Sequence, residues 1–164
     1  MRERSNRLKK PVKCAFIDLS SILSVLPLSL SAVYCATKIF NRIFTLGLSS
    51  YLSKPVARNS ADISTEFDFL SVQPSVVETN MTKEAKSEME KLNPADLKLF
   101  VTVDQCIEGS LAALGKLTMT PGAKGHGIQY FVVETLKGLL PEDFHSALMD
   151  HKYAPVDIKT VDSK

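Results

Sequence analysis

Apolar residues fall along the chain in short bursts separated by polar stretches, and their spacing changes from one burst to the next. "VKCAFIDLS" (12–20) is a brief apolar run of the kind that forms a parallel strand covered on both faces. "SILSVLPLSLS", with Pro27 and repeated serines, reads as a loop. From about Ser31 to Leu52 the pattern becomes helical, with Ile39, Ile43 and Leu46 on one stripe and Phe40, Phe44 and Leu48 on a second. Two stripes predict a helix covered on two sides, by a sheet and by a partner subunit. A polar loop (53–66) follows, then a second buried strand within "FDFLSVQPSVV" (67–77) that ends at Pro74.

The C-terminal part of the chain alternates in the same way. "TKEAKSEMEKLNPADLK" (82–98) is charged and weakly amphipathic, which predicts a surface helix. In "TVDQCIEGSLAAL", Thr102 and Gln105 stand at capping-box spacing, and Ile107, Leu111 and Leu114 define the expected inner face of a helix. "TPGAKGHG" reads as a turn. "IQYFVVETLKGLL" fits a strand or a helix, with a helix ending near Pro141 favoured, and residues 145–164 read as a flexible tail. Strand, helix, strand, helix predicts an α/β unit.

Bulk properties narrow the function classes. A chain of 164 residues is about one domain, and 45% hydrophobic with 23% charged residues describes a folded protein. A net charge of +2 without interleaved aromatic residues gives no nucleic-acid footprint. Cys14, Cys35 and Cys106 are scattered, which predicts reduced thiols in an intracellular protein. The basic start followed by an apolar run imitates a signal peptide or a membrane span. Asp18 and Pro27 argue against both, because a central Asp costs about 2.5 to 3.5 kcal/mol on insertion scales. His126, His145 and His151 do not stand at metal-ligand spacing.

One pair carries candidate chemistry. Tyr34 and Lys38 are four positions apart on the predicted helix and share a face. A phenol titrates near pH 10 and a neighbouring ammonium favours its anion, so such a pair can shuttle a proton. The alternative is a packed tyrosine beside a lysine that snorkels to water.

The segment "IDLSSILSVLPLSLSAVYCATKIF" resembles the catalytic segment of the short-chain dehydrogenase/reductase family. There a strand ends in a serine pair and a Tyr-x-x-x-Lys opens a long helix; Ser21 lies 13 positions before Tyr34, the family's usual separation. "LSVQPSVVETNM" is similar to the family's strand and Pro-Gly-x-Val-x-Thr loop. Pro74, Val77 and Thr79 match, while Ser75 replaces the glycine. "VTVDQCIEGSLAALGKLTMTPGAKGHGIQYFVVETLKGLLP" resembles the C-terminal part of the branch of 17β-hydroxysteroid dehydrogenases and very-long-chain 3-oxoacyl-CoA reductases.

The resemblance spans about Lys10 to Phe144 and implies a partial Rossmann-type, doubly wound parallel sheet. It implies an NAD(P)-dependent oxidoreductase, with NADP favoured and NAD open, that reduces an apolar carbonyl such as an acyl-CoA or a steroid. Ser21, Tyr34 and Lys38 would be catalytic, and Tyr34, Lys38, Pro74, Val77 and Thr79 would meet the cofactor. It further implies association with the endoplasmic reticulum membrane and a homo-oligomer formed through the 34–52 helix. The family's Gly-rich dinucleotide turn has no counterpart before Tyr34, so residues 1–144 correspond to the C-terminal portion of the domain. A second expectation, of a different class, is a catalytically inactive short protein acting as an interaction or scaffold piece.

Overall fold

The computed structural model describes residues 13–25, 31–52, 66–83, 86–87, 90, 98–139, 141 and 147. Their centre is a three-stranded parallel sheet in the order β1-β2-β3, formed by β1 (Lys13–Leu19), β2 (Glu66–Val72) and β3 (Met119–Thr120). Both predicted strands are present, and the fold is α/β. β1 and β2 pair along their whole length, with Phe16 opposite Phe69 and Leu19 opposite Val72. β3, which has no sequence pattern of its own, adds to the far side of β2 opposite Ser71 and Val72.

The helices are α1 (Ala32–Leu52), α2 (Val103–Ala113) and α3 (Lys124–Leu139). Successive strand residues face opposite sides of a sheet, so ring contacts reveal which side each helix covers. Phe16 lies 6.3 Å from the Phe44 ring and 6.0 Å from Phe69, which puts α1 on the Phe face. Leu70 and Val72 point the other way, into a core shared with Val101, Cys106, Ala113 and Ala123 on the α2 side.

α2 begins where the capping pattern predicts. Thr102 Oγ1 accepts from the Gln105 amide at 3.2 Å, and Gln105 Oε1 accepts from the Thr102 amide at 3.0 Å. Such a reciprocal pair satisfies two otherwise orphaned donors and stabilises a helix by about 1 kcal/mol. Its inner face, however, consists of Cys106, Ser110 and Ala113, while Ile107 and Leu111 point to solvent. The reason is close approach: a Cβ on Gly109 would lie 1.6 Å from the Gly122 carbonyl oxygen. Only a face of small residues lets α2 sit on that turn, where Gly122 adopts φ 80°.

Two expectations about coverage are corrected. β1 is not buried on both faces: Ile17 is 47% and Leu19 60% exposed. β1 is the edge strand, and among the described elements no helix covers its Ile17 face. On α1 the inward residues are Cys35 and Thr45, flanked by half-buried Lys38 and Arg42, whereas Ile39, Phe40 and Ile43 face outward. The polar stripe is the inner one because it meets polar groups: the Leu19 carbonyl near Lys38 and the Glu134 carboxylate near Arg42. Arg42 Nη2 stands 3.5 Å from Glu134, which also accepts from the Tyr130 hydroxyl at 2.9 Å, joining α1 to α3.

Of the helix predicted over 82–98, the described residues Lys83, Lys86, Ser87 and Glu90 are helical and follow the 3-10 turn Asn80–Thr82; 84–85, 88–89 and 91–97 lie outside the described residues, as does the 145–164 tail apart from Ala147.

Candidate functional site at the strand ends

In parallel α/β sheets the carboxyl ends of the strands are where ligands are met, because loops and helix starts converge there. Here the ends of β1 and β2 are tied together by the backbone. The Ser20 amide donates to the Val72 carbonyl at 2.8 Å, and the Ile22 amide donates to the Pro74 carbonyl at 3.0 Å. The loops carrying Ser21 and Pro74 are therefore neighbours, although they lie far apart in sequence.

Ser21 caps the 3-10 turn Ile22–Ser24: its Oγ accepts from the Leu23 amide at 3.2 Å. Ser21 is buried, so this bond fixes the oxygen, while the hydroxyl proton stays available for another acceptor. Its neighbour Ser20 donates to the Lys38 carbonyl at 2.7 Å, binding the serine loop to α1.

Lys38 closes the arrangement. Its ammonium donates to the Leu19 carbonyl, the last of β1, at 2.8 Å, and Asn41 Nδ2 reaches the same oxygen at 3.5 Å. The same ammonium sits 5.5 Å from the centre of the Tyr34 ring. Tyr34 and Lys38 thus share a helix face as their spacing predicts, and that face is held at the end of β1, where Ser20 bonds α1. Lys38 has three protons and uses one on Leu19, and the Tyr34 ring is 41% exposed, open to a ligand.

The second predicted set lies just beyond β2. Pro74 accepts from Ile22 as above. Val77 forms a parallel bridge with Val101, in which the Glu78 amide donates to the Val101 carbonyl at 2.9 Å and the Val101 amide to the Val76 carbonyl at 3.1 Å. Thr79 opens the 3-10 turn, and its amide donates to Thr82 Oγ1 at 2.9 Å. Thr82 in turn donates to the Val77 carbonyl at 2.6 Å. Thr82 is a structural anchor that sequence reasoning missed, although the Thr-x-x-Thr spacing is a capping signal.

Gln73, the first residue past β2, was also missed. It is buried, and neither atom of its side-chain amide has a hydrogen-bond partner among the described residues. Buried amides are nearly always paired, so a polar group is called for at this point. Lys38 on α1, the Thr79 hydroxyl at the start of the 3-10 turn and the Gln73 amide just past β2 are the side-chain donors and acceptors that a polar ligand could use at this end of the sheet. Among the described residues a glycine-bearing turn, Pro121–Gly122–Ala123, leads from β3 into α3, whose first turn carries Gly125 and Gly127; it follows the predicted site residues in sequence, whereas the dinucleotide turn of the resembled family precedes the tyrosine. No group of three or more His, Cys, Asp or Glu side chains among the described residues could hold a metal ion.

Comparison with family models, with curated proteins and with solved structures finds no match to this chain.

Proposed function

We propose that the chain carries the carbonyl-reducing portion of an NAD(P)-dependent oxidoreductase of the short-chain dehydrogenase/reductase type, on a partial doubly wound sheet. The observation that carries this reading is the position of Lys38. Its ammonium joins the Tyr34 ring to the end of β1, and the chain that continues from there carries Ser21 and bonds the Pro74 carbonyl through Ile22.

In this reading the site would hold the reduced nicotinamide of NADP or NAD, which would supply a hydride for the carbonyl carbon. Tyr34 gives its hydroxyl proton to the carbonyl oxygen, so that ketone, hydride and proton balance to an alcohol. Ser21 donates its free hydroxyl proton to the same oxygen and orients it. Lys38 would hold the ribose hydroxyls with its remaining protons. Thr79 and the backbone at Val77 would receive the carboxamide, with Pro74 fixing the start of that loop.

The substrate class rests on the resemblance of the last third of the chain to the steroid and long-chain acyl reductases, which implies an apolar carbonyl, an acyl-CoA or a steroid. Exposed Ile128, Phe131 and Val132 on α3 supply apolar surface consistent with it. Membrane association at the endoplasmic reticulum belongs to the same proposal; among the described residues no helix is long and apolar enough to cross a membrane. The homo-oligomer through 34–52 is supported by the outward Phe40 and Ile43 of α1.

The test is ligand binding followed by nuclear magnetic resonance. A site that meets only the nicotinamide end binds NADPH weakly and reduced nicotinamide mononucleotide about as well, and Lys38→Ala lowers both. Tight NADPH binding with strong preference over the mononucleotide would overturn the partial-site reading. Binding of neither would overturn the oxidoreductase reading. That second outcome would favour an interaction or scaffold protein, which the outward apolar residues of α1 and β1 also support.

A further inference from the structure

His126 is fully buried in the first turn of α3, and its ring touches three backbone groups from two other segments. Nδ1 lies 3.2 Å from the Ser75 amide nitrogen. An amide N–H can only donate, so Nδ1 carries no proton. Nε2 lies 3.1 Å from the Val76 carbonyl and 3.2 Å from the Leu99 carbonyl. Carbonyls can only accept, so Nε2 carries the proton and shares it between them. The hydrogen-bond partners thus select one neutral tautomer. Neither the protonated ring nor the other tautomer serves all three groups.

What the ring holds is the loop assigned above to the nicotinamide. Ser75 replaces the glycine of the resembled pattern, and its amide is the group that Nδ1 grips. The same ring anchors the next carbonyl, Val76, and ties both to Leu99, two residues before the Val77–Val101 bridge. Three chain segments that meet nowhere in sequence are pinned by one side chain.

Building on the nicotinamide reading of this loop, we propose that His126 is a positioning residue, whose Nε2–H tautomer sets how the Ser75–Thr79 backbone is presented to the cofactor. It touches no reacting atom. Its action is to fix the loop before the ligand arrives, so that binding does not have to order it.

Two substitutions divide the ring's duties. His126→Asn keeps an acceptor near the position of Nδ1, and His126→Gln keeps a donor near the position of Nε2. Nitrogen-detected imidazole spectra of the full chain should show a bare Nδ1 and a protonated Nε2. Hydrogen exchange at the Ser75 amide should be slow in the wild type and in His126→Asn, and fast in His126→Gln. Affinity for reduced nicotinamide mononucleotide should fall about tenfold in His126→Gln, as for one lost hydrogen bond, and less in His126→Asn. Equal losses in both variants would mean a purely structural role and overturn the proposal. A protonated Nδ1 in the wild type would overturn it even if neither variant folds. If the wild type binds no nicotinamide, slow exchange at Ser75 that depends on His126 would keep the clamp and refute the cofactor reading alone.

Discussion

Replacing Gly109 by alanine is the sharpest test of the α2 packing. The added Cβ would stand 1.6 Å from the Gly122 carbonyl oxygen and 2.7 Å from its carbon, where ordinary contact starts at 3.4 Å. The two backbones would have to part by nearly 2 Å, and no rotamer change can relieve the overlap because both partners are main chain. Overpacking a core costs about 1 to 3 kcal/mol where side chains can adjust, so the upper end applies here. Alanine returns about 1 kcal/mol of helix propensity, leaving a net loss of about 2 kcal/mol. With a urea slope of about 2 kcal/mol/M, the unfolding midpoint should fall by about 1 M. Circular dichroism at one fixed protein concentration reads this directly. The control is Gly47→Ala in α1, where no atom lies within 4 Å and the midpoint should rise. A Gly109→Ala midpoint at or above wild type would refute the crossing of α2 over the Gly122 turn.

Three further outcomes are expected. Burial and the Glu134 carboxylate push the Tyr130 phenol up to about 12, so the unfolded chain loses that proton first as pH passes 10. The stability linked to Tyr130 is full below pH 10 and is lost between there and about 12; Tyr130→Phe should remove that part of the alkaline destabilisation. Maleimide should label half-buried Cys14 well before buried Cys35 and Cys106, the last held further back by burial that raises its thiol pKa; labelling of Cys106 at the rate of Cys14 would contradict the core. Sedimentation should show concentration-dependent self-association that Phe40→Glu with Ile43→Glu abolishes, whereas a wild type that stays monomeric at high concentration would refute an interface on α1.

Features with local causes were legible before the structure. The Thr102 and Gln105 cap closes within three residues, and the Tyr34–Lys38 face follows from one helical turn, so spacing alone finds both. Which face turns inward was not legible for α1 or α2. Apolar stripes are read as inward by default, yet on α1 the strand-end carbonyl at Leu19 and the carboxylate of Glu134 draw Lys38 and Arg42 inside. On α2 the close turn at Gly122 admits only small residues. β3 has two residues, too few for any period, and exists because Ser71 and Gln73 donate to Thr118 and Thr120. His126 carries no local signal, since its three partners lie 27 to 51 positions away.

The bridge between Val77 and Val101 has a bearing on how this molecule could be altered. Both of its ends are secured independently: Thr82 holds Val77 on one side, and the Thr102 cap begins a helix on the other. The parallel pairing of Val77 with Val101 closes the chain between them, so a change in its length need not alter the pairing itself. Doubling such a closed segment costs only about 0.6 kcal/mol in closure entropy. Peptides grafted after Lys86, whose ion pair with Glu78 would be kept, would therefore be carried close to the Pro74–Thr79 loop. That makes the segment a natural port for insertion libraries, in which recognition of a bound molecule could be diversified while the sheet beneath stays constant.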